Sequence, residues 1–282
     1  MFTFLHTYHP QSILLKLGPI DIHWYGFVIV LGAVVGLLAI LYFAKRYQIK
    51  SEQVFDLAFY LVLFGLIGDR LYYVIYAWEF YKDNLWDIFK IWEGGLAIFG
   101  AIIAGIITLI IYAKIKKLNI LLWLDLLVLA LASGLAFGRW GNYFNQELFG
   151  LPTNLPWGIP IDYVLRPSEF LNSEFFHPTF LYESLAMILV FILLISLHLI
   201  RLKTQKIKKG RIALAFFTLY FAERFLNEYL RLDFSPFFLG MRINQLVAGL
   251  ALIACLIIWL YLIYLFCKNY ISGKDKQLLK TN

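Results

Sequence analysis

The sequence predicts an all-α polytopic membrane protein with seven transmembrane helices, an exoplasmic (periplasmic) N-terminus, a cytoplasmic C-terminus and one long exoplasmic loop. Three observations carry that reading. The chain of 282 residues is 61% hydrophobic, 18% aromatic and only 15% charged, whereas soluble domains run about 45–50% apolar and about 25% charged. Apolar stretches of membrane-spanning length recur along it. Basic residues cluster at alternate ends of those stretches.

Met1 to Gly18 lacks the basic n-region and long apolar h-region of a cleaved signal peptide. Pro10-Gln11-Ser12 followed by Ile13-Leu14-Leu15-Lys16-Leu17 reads as a short amphipathic segment on the membrane surface, with the first span opening near Ile22. A bilayer core of about 30 Å asks for roughly 20 apolar residues per helix. Runs of that kind fall at approximately 22–43, 55–76, 95–113, 120–137, 180–200, 211–231 and 243–266. The connection at about 138–179 holds Gly, Pro, Asn and aromatic residues without a long apolar run, and a loop of such length is commonly functional. The whole chain reads as a single integral-membrane catalytic domain.

Orientation follows from the cations. One set of helix ends carries sixteen (Lys45, Arg46, Lys50; Lys114, Lys116, Lys117; Arg201, Lys203, Lys206, Lys208, Lys209, Arg211; Lys268, Lys274, Lys276, Lys280), and the opposite set carries seven. Basic residues favour the cytoplasmic side, so the net charge of +7 is explained by membrane anchoring and implies no nucleic-acid partner. Cys255 and Cys267 lie twelve residues apart on the last run. In a helix that is about 18 Å, beyond disulfide reach, and both read as packing residues. The five histidines show no metal-ligand spacing beyond a weak His6/His9 pair, so no metal or cofactor is implied.

Ionisable groups inside the spans need a partner, a cavity or a function, since each costs at least about 2.5–3.5 kcal/mol to insert. Tyr220, Arg224 and Glu228 are spaced at four on the sixth span and share one helix face, with Arg231 close to the stripe. Arg139 ends the fourth span, and Asp69-Arg70 lies toward the outer end of the second. Arg224 and Glu228 as a structural ion pair, and Arg139 reaching for headgroups, are one account of these residues. A site for an anion is the other, because guanidinium forks suit phosphate oxygens and phospholipid headgroups supply phosphate at that depth. A phospholipid headgroup transferase or an anion or lipid transporter would also want such arginines; the absence of an internal repeat weighs against a transporter of inverted halves.

The segment Gly138-Arg139-Trp140-Gly141-Asn142-Tyr143-Phe144-Asn145-Gln146-Glu147-Leu148-Phe149-Gly150 resembles the characteristic motif of the prolipoprotein diacylglyceryl transferases. Other pieces fall in that family's order: Pro19-Ile20-Asp21-Ile22-His23-Trp24-Tyr25-Gly26, Trp92-Glu93-Gly94-Gly95-Leu96, His177-Pro178-Thr179-Phe180-Leu181-Tyr182-Glu183, and Tyr220 through Arg231. The resemblance implies an enzyme of the bacterial inner membrane, active toward the exoplasmic leaflet. Such enzymes move the diacylglyceryl group of phosphatidylglycerol onto the lipobox cysteine of an exported prolipoprotein and release glycerol phosphate. It implies Arg139 and Arg224 as the phosphate-binding pair, Asn142, Asn145, Glu147 and Gly150 shaping the motif loop, Tyr25 and Tyr220 near the substrate, and Glu228 orienting Arg224. The nucleophile is the substrate's own thiol, which reacts as the thiolate.

One departure stands out. Many relatives carry a histidine after the Gly-Gly-Leu that precedes the third span, and this chain has Phe99 there. Phenylalanine takes no proton, so the base must be another group, with Glu147 or His23 as candidates, or the arginine field must lower the thiol pKa. Phe99→His is expected to be tolerated or mildly activating in a transfer assay. Complete loss of transfer would mean that the pocket around this position is built differently from that of histidine-bearing relatives.

Overall fold

The computed structural model describes residues 2–18 and 20–278. Pro19 and Lys280, and the side chains of Glu93, Lys274 and Lys276, lie outside the described residues. In chain order the elements are α1 (Phe2–Thr7), β1 (Ile13–Leu17), β2 (Ile20–His23), α2 (Trp24–Arg46), α3 (Ser51–Tyr76), α4 (Trp78–Tyr81), α5 (Ile98–Ile115), α6 (Ile120–Phe144), β3 (Ile159–Pro160), β4 (Phe175–Phe176), α7 (Thr179–Thr204), α8 (Arg211–Asn227), β5 (Phe237–Phe238), β6 (Met241–Arg242) and α9 (Ile243–Leu278). Each of the seven expected runs is a helix. Five of them (α2, α5, α6, α7 and Ile243–Asn269 of α9) are long and apolar enough to cross a membrane. The other two are α3, which carries Glu52, Asp56, Asp69 and Arg70, and α8, which is 17 residues long and carries Glu223 and Arg224.

Several boundaries differ from the sequence expectation. The segment read as lying on the membrane surface is strand β1, paired antiparallel with β2 so that Lys16 faces Asp21. Gly18 sits at the turn with φ +61, a conformation open to glycine at no steric cost, and the first long helix therefore starts at Trp24. At the other end of the motif region α6 runs on to Phe144, so Gly138 to Phe144 is helix rather than loop. The sixth helix stops at Asn227, which leaves Arg231 past its end in a short antiparallel bridge with Gly150. Of the two cysteines, Cys255 is buried as expected and Cys267 is exposed.

The chain divides into two compact units, Leu38–Leu127 and the remainder. In the Leu38–Leu127 unit α3 and α5 approach until Gly68 and Gly100 touch: a Cβ on Gly100 would lie 2.1 Å from the Gly68 carbonyl oxygen. Small residues that admit such backbone contact drive helix association in membranes, where apolar burial between helices gains little. Arg70, toward the C-terminal end of α3, is buried and holds the loop that precedes α5. Its guanidinium donates to the carbonyls of Ile88 at 2.8 Å, Gly94 at 2.5 Å, Gly95 at 2.9 Å, Asp87 at 2.6 Å and Lys90 at 3.3 Å. All five guanidinium N–H groups are thereby used, which makes Arg70 a loop clamp with no donor left for a phosphate. Phe99 is the second residue of α5, largely exposed and near the ring of Tyr72.

In the other unit α2 meets α6 through Gly32 and Gly36, with the Ser133 hydroxyl donating to the Gly32 carbonyl at 2.9 Å. Helices α7, α8 and α9 pack in sequence; Trp259 of α9 donates to Thr218 of α8 at 3.1 Å. A small cap covers the end of α6. Its core is Leu5, Tyr143, Ile159, Ile161, Phe176, Phe180 and Leu181, and Gln146 ties it together by bonding the Pro10 carbonyl and both the carboxylate and backbone N–H of Asp162.

Replacing Arg70 by Ala strands five carbonyl acceptors, and charged hydrogen bonds contribute about 1.5–3 kcal/mol each before compensation by water. Thermal unfolding in detergent should register a loss of about 3 kcal/mol or more, with protease cleavage appearing between residues 85 and 95. An unchanged melting temperature would refute the clamp.

Candidate active site

The site is assembled where α6 ends, α7 begins and α8 stops. Gly150 is the pin. Its N–H donates to the His177 carbonyl at 2.9 Å, Leu151 N–H donates to the Leu230 carbonyl at 2.8 Å, and the Thr179 hydroxyl donates to the Leu148 carbonyl. A Cβ at Gly150 would come within 2.8 Å of the Leu230 oxygen and 2.9 Å of both His177 and Thr179, so only glycine lets the loop thread between the start of α7 and the chain leaving α8. Just before it, Gln146 (φ +52) and Leu148 (φ +57) flank Glu147 in the left-handed region, a strained conformation that costs on the order of 1 kcal/mol for a residue with a side chain. Glu147 accepts from Asn142 at 2.7 Å and from Asn145 at 3.4 Å. The three motif residues thus form one constellation.

Beside this loop lies a cluster of four arginines held by three carboxylates. Glu183, near the start of α7 and almost wholly buried, pairs with Arg139 of α6 at 2.5 Å, Arg231 at 3.0 Å and Arg224 of α8 at 3.8 Å. Glu228, at the C-cap of α8 and equally buried, pairs with Arg224 at 2.8 Å and Arg242 at 3.0 Å. Asp233 takes Arg231 at 2.6 Å, while Arg242 also donates to the carbonyls of Arg231 and Asp233. The four arginines do not share the same accessibility. Arg231 is 4% exposed, whereas Arg139 and Arg224 keep 18% and 16%. Nη1 of Arg224 has no hydrogen-bonded partner. Two partly open forks joined through one carboxylate make a receptor for a tetrahedral anion.

Matches to known proteins fit this geometry. The family model for prolipoprotein diacylglyceryl transferase covers residues 12–261. A Nostoc protein named phosphatidylglycerol–prolipoprotein diacylglyceryl transferase is 40% identical over 262 residues, 92% of each chain. A protein of the same name from Finegoldia magna is 41% identical over 85% of this chain and 90% of its own, and one from Acaryochloris marina is 39% identical over 90% and 92%. The chain belongs to the prolipoprotein diacylglyceryl transferase family.

Within this chain, Arg139, Arg224 and Glu228 come together through Glu183, and Asn142, Asn145, Glu147 and Gly150 share the motif loop. Tyr25 lies against α6, its ring filling the space over Gly141, where a Cβ would approach to 2.3 Å. Tyr220 stacks on Phe216 one turn before Arg224. Among the described residues, no hydrogen bond joins either tyrosine hydroxyl to the arginines. Of the two candidate bases, Glu147 is engaged by the asparagines, while His23 is an exposed residue at the end of β2. His177 forms a chain with Tyr182 at 3.1 Å and Trp157 beyond it at 2.9 Å. Burial lowers its pKa from the ordinary histidine value, so the imidazole is neutral at pH 7.

Sequence reasoning missed Glu183, Arg242, Asp233 and Glu223. Glu183 had a readable signal: it is the only acidic residue in α7, at the outer end of an apolar helix and on the same side as three arginines. Glu183→Gln should lower stability by about 3–5 kcal/mol, the usual result of removing one partner from a buried ion pair. Thermal denaturation in detergent measures it, and a change below about 1 kcal/mol would mean the arginines are held by other groups.

Proposed function

We propose that this chain transfers the diacylglyceryl group of phosphatidylglycerol to the thiol of the lipobox cysteine of prolipoproteins, releasing glycerol phosphate, as the first step of bacterial lipoprotein maturation. The observation that carries the reading is the Arg139–Glu183–Arg224 arrangement in a chain of this family: two partly open guanidinium groups share one buried carboxylate. The relatives' names supply the lipid and the protein acceptor.

The reaction breaks a carbon–oxygen bond at the glyceryl carbon and forms a carbon–sulfur bond. The electron pair of the broken bond passes to a phosphate oxygen, so charge accumulates there as the bond lengthens. Preorganised cations in a site of low polarity stabilise such charge far better than water does. Arg139 and Arg224 take that role. Glu228 and Glu183 orient them, while the loop of Asn142, Asn145, Glu147 and Gly150 closes one side and Tyr25 and Tyr220 line the approach of the substrate. The protein works as one integral-membrane catalytic domain with seven spans, N-terminus exoplasmic and C-terminus cytoplasmic. Support for this topology comes from the seven helices and the sixteen-to-seven bias of cations. On that topology the arginine cluster faces the exoplasmic leaflet of the bacterial inner membrane, where exported prolipoproteins emerge.

The test is a reconstituted reaction of purified protein, phosphatidylglycerol and a synthetic lipobox peptide, read by mass spectrometry. A peptide heavier by one diacylglyceryl group on its cysteine, with glycerol phosphate released, is the expected result. Arg139→Ala and Arg224→Ala should each reduce transfer by about 100-fold or more while the protein still inserts and folds. A peptide left unmodified by the wild-type protein refutes the reaction, and full activity in both arginine variants refutes the phosphate assignment.

A further inference from the structure

The arginine cluster leaves one carboxylate outside its ion pairs. Glu183, Glu228 and Asp233 each hold at least one guanidinium within 3.0 Å. Glu223, next to Arg224 on α8, is half-buried and has no such partner among the described residues. Helical spacing sets it on the stripe already described. Residues 220, 223, 224, 227 and 228 follow one another at three and four, so Glu223 lies one turn from Tyr220 and one turn from Asn227 on the same face. Asn227 supplies a second, independent sign of a ligand. It is 6% exposed, yet neither its side-chain oxygen nor its nitrogen finds a hydrogen-bond partner. A buried amide left unpaired costs about 1–3 kcal/mol, and groups of this kind persist where something else is bound in the working state.

The charges that reach Glu223 are Glu183 from α7, Arg139 from α6, and Arg224 and Arg231 from its own segment. From α9, which also packs on α8, nothing comes: between Ile243 and Cys267 that helix contains no Asp, Glu, Lys, Arg or His. A carboxylate free of ion pairs, partly buried and beside the phosphate-binding forks has the placement that the reaction requires of a proton acceptor. The alternatives lack it. Phe99 has no basic atom, Glu147 is held by Asn142 and Asn145, and His23 sits in a strand before α2.

We propose that Glu223 is the general base that takes the proton from the substrate thiol, with Asn227 binding the acceptor peptide one helical turn away. The assignment rests on the transfer reaction proposed above. In this step the sulfur–hydrogen bond breaks toward the Glu223 carboxylate and the sulfur forms its bond to the glyceryl carbon. The carbon–oxygen bond opens onto the phosphate oxygen held by Arg139 and Arg224. The proton then passes from Glu223 to the departing glycerol phosphate, so the carboxylate returns unprotonated and no other reactant is consumed.

The experiment compares wild-type protein with Glu223→Gln and Glu223→Asp in the reconstituted assay from pH 6 to above the thiol pKa of about 8.5. At pH 7, Glu223→Gln should lose about 100-fold or more in kcat with KM for phosphatidylglycerol within about twofold. The deficit should shrink steeply as the pH rises and the thiol ionises unaided. Glu223→Asp, which keeps the base one methylene shorter, should fall between the two and serves as the informative variant if the glutamine protein folds poorly. A Gln variant as active as wild type at pH 7 overturns the assignment. So does a deficit that stays constant with pH, which would assign Glu223 a positioning effect on Arg224. Failure of the wild-type protein to modify the peptide at any pH would instead remove the reaction itself.

Discussion

The site depends on the Glu183 carboxylate. One buried acid near the start of α7 holds Arg139, Arg231 and, more distantly, Arg224, and these three arrive from a helix end, from the chain beyond another helix and from that helix itself. Four guanidinium groups in so small a volume would repel one another. Their assembly requires a counter-charge with enough lone pairs to serve several at once, and an ionised carboxylate has about four acceptor sites on two oxygens. Glu228 repeats the arrangement one layer on, joining Arg224 to Arg242. The carboxylates therefore determine where the arginines point, and the helix ends converge because their arginines converge.

A second constraint is backbone proximity, and it operates in both units without reference to polarity. Gly68 against Gly100 in one and Gly32 and Gly36 against α6 in the other bring helix axes close enough for carbonyls and small side chains to touch. Gly150 does the same for the loop, admitting it between His177 and Leu230. Arg70 illustrates a different use of the same residue type as the cluster. Surrounded by five carbonyls rather than carboxylates, its guanidinium serves as a structural brace for the chain before α5. Identity alone does not make an arginine a ligand site; what its five donors already touch decides that.

This bears on what could be read from the sequence. Helices were legible because span length and apolarity are local properties, and all seven runs form helices, although α6 and α9 continue well past their expected ends. The motif residues Asn142, Asn145 and Glu147 were legible as a group because they are close in sequence and bond one another. The clamp role of Arg70 is invisible to hydropathy, since its partners are carbonyls 17 to 25 residues away. Glu183 reads two ways in the sequence, because an acid near the start of a helix also has an adequate local explanation in the helix dipole. The β1–β2 hairpin was missed for a similar reason: four apolar residues around one lysine fit a surface helix as well as a strand, and Gly18 adopting a positive φ decides the matter.

The charge balance of the cluster ties its construction to its chemistry. Arg139, Arg224, Arg231 and Arg242 face Glu183, Glu228, Asp233 and Glu223, so with every group ionised the four positive charges meet four negative ones. A neutral cluster is tolerable within a membrane protein, where an excess of bare charge would be expensive. It is also a modest anion receptor until one of its carboxylates is neutralised. Proton transfer from the thiol to Glu223 does that, leaving the cluster with one surplus positive charge at the stage when the phosphate oxygen takes up the electron pair of the breaking bond. The field that stabilises the leaving group then grows as the nucleophile forms, and it relaxes when the proton leaves with the product. A base placed far from the arginines would deprotonate the thiol without this gain. Its position on the same face as Arg224 is what lets one proton serve both halves of the reaction.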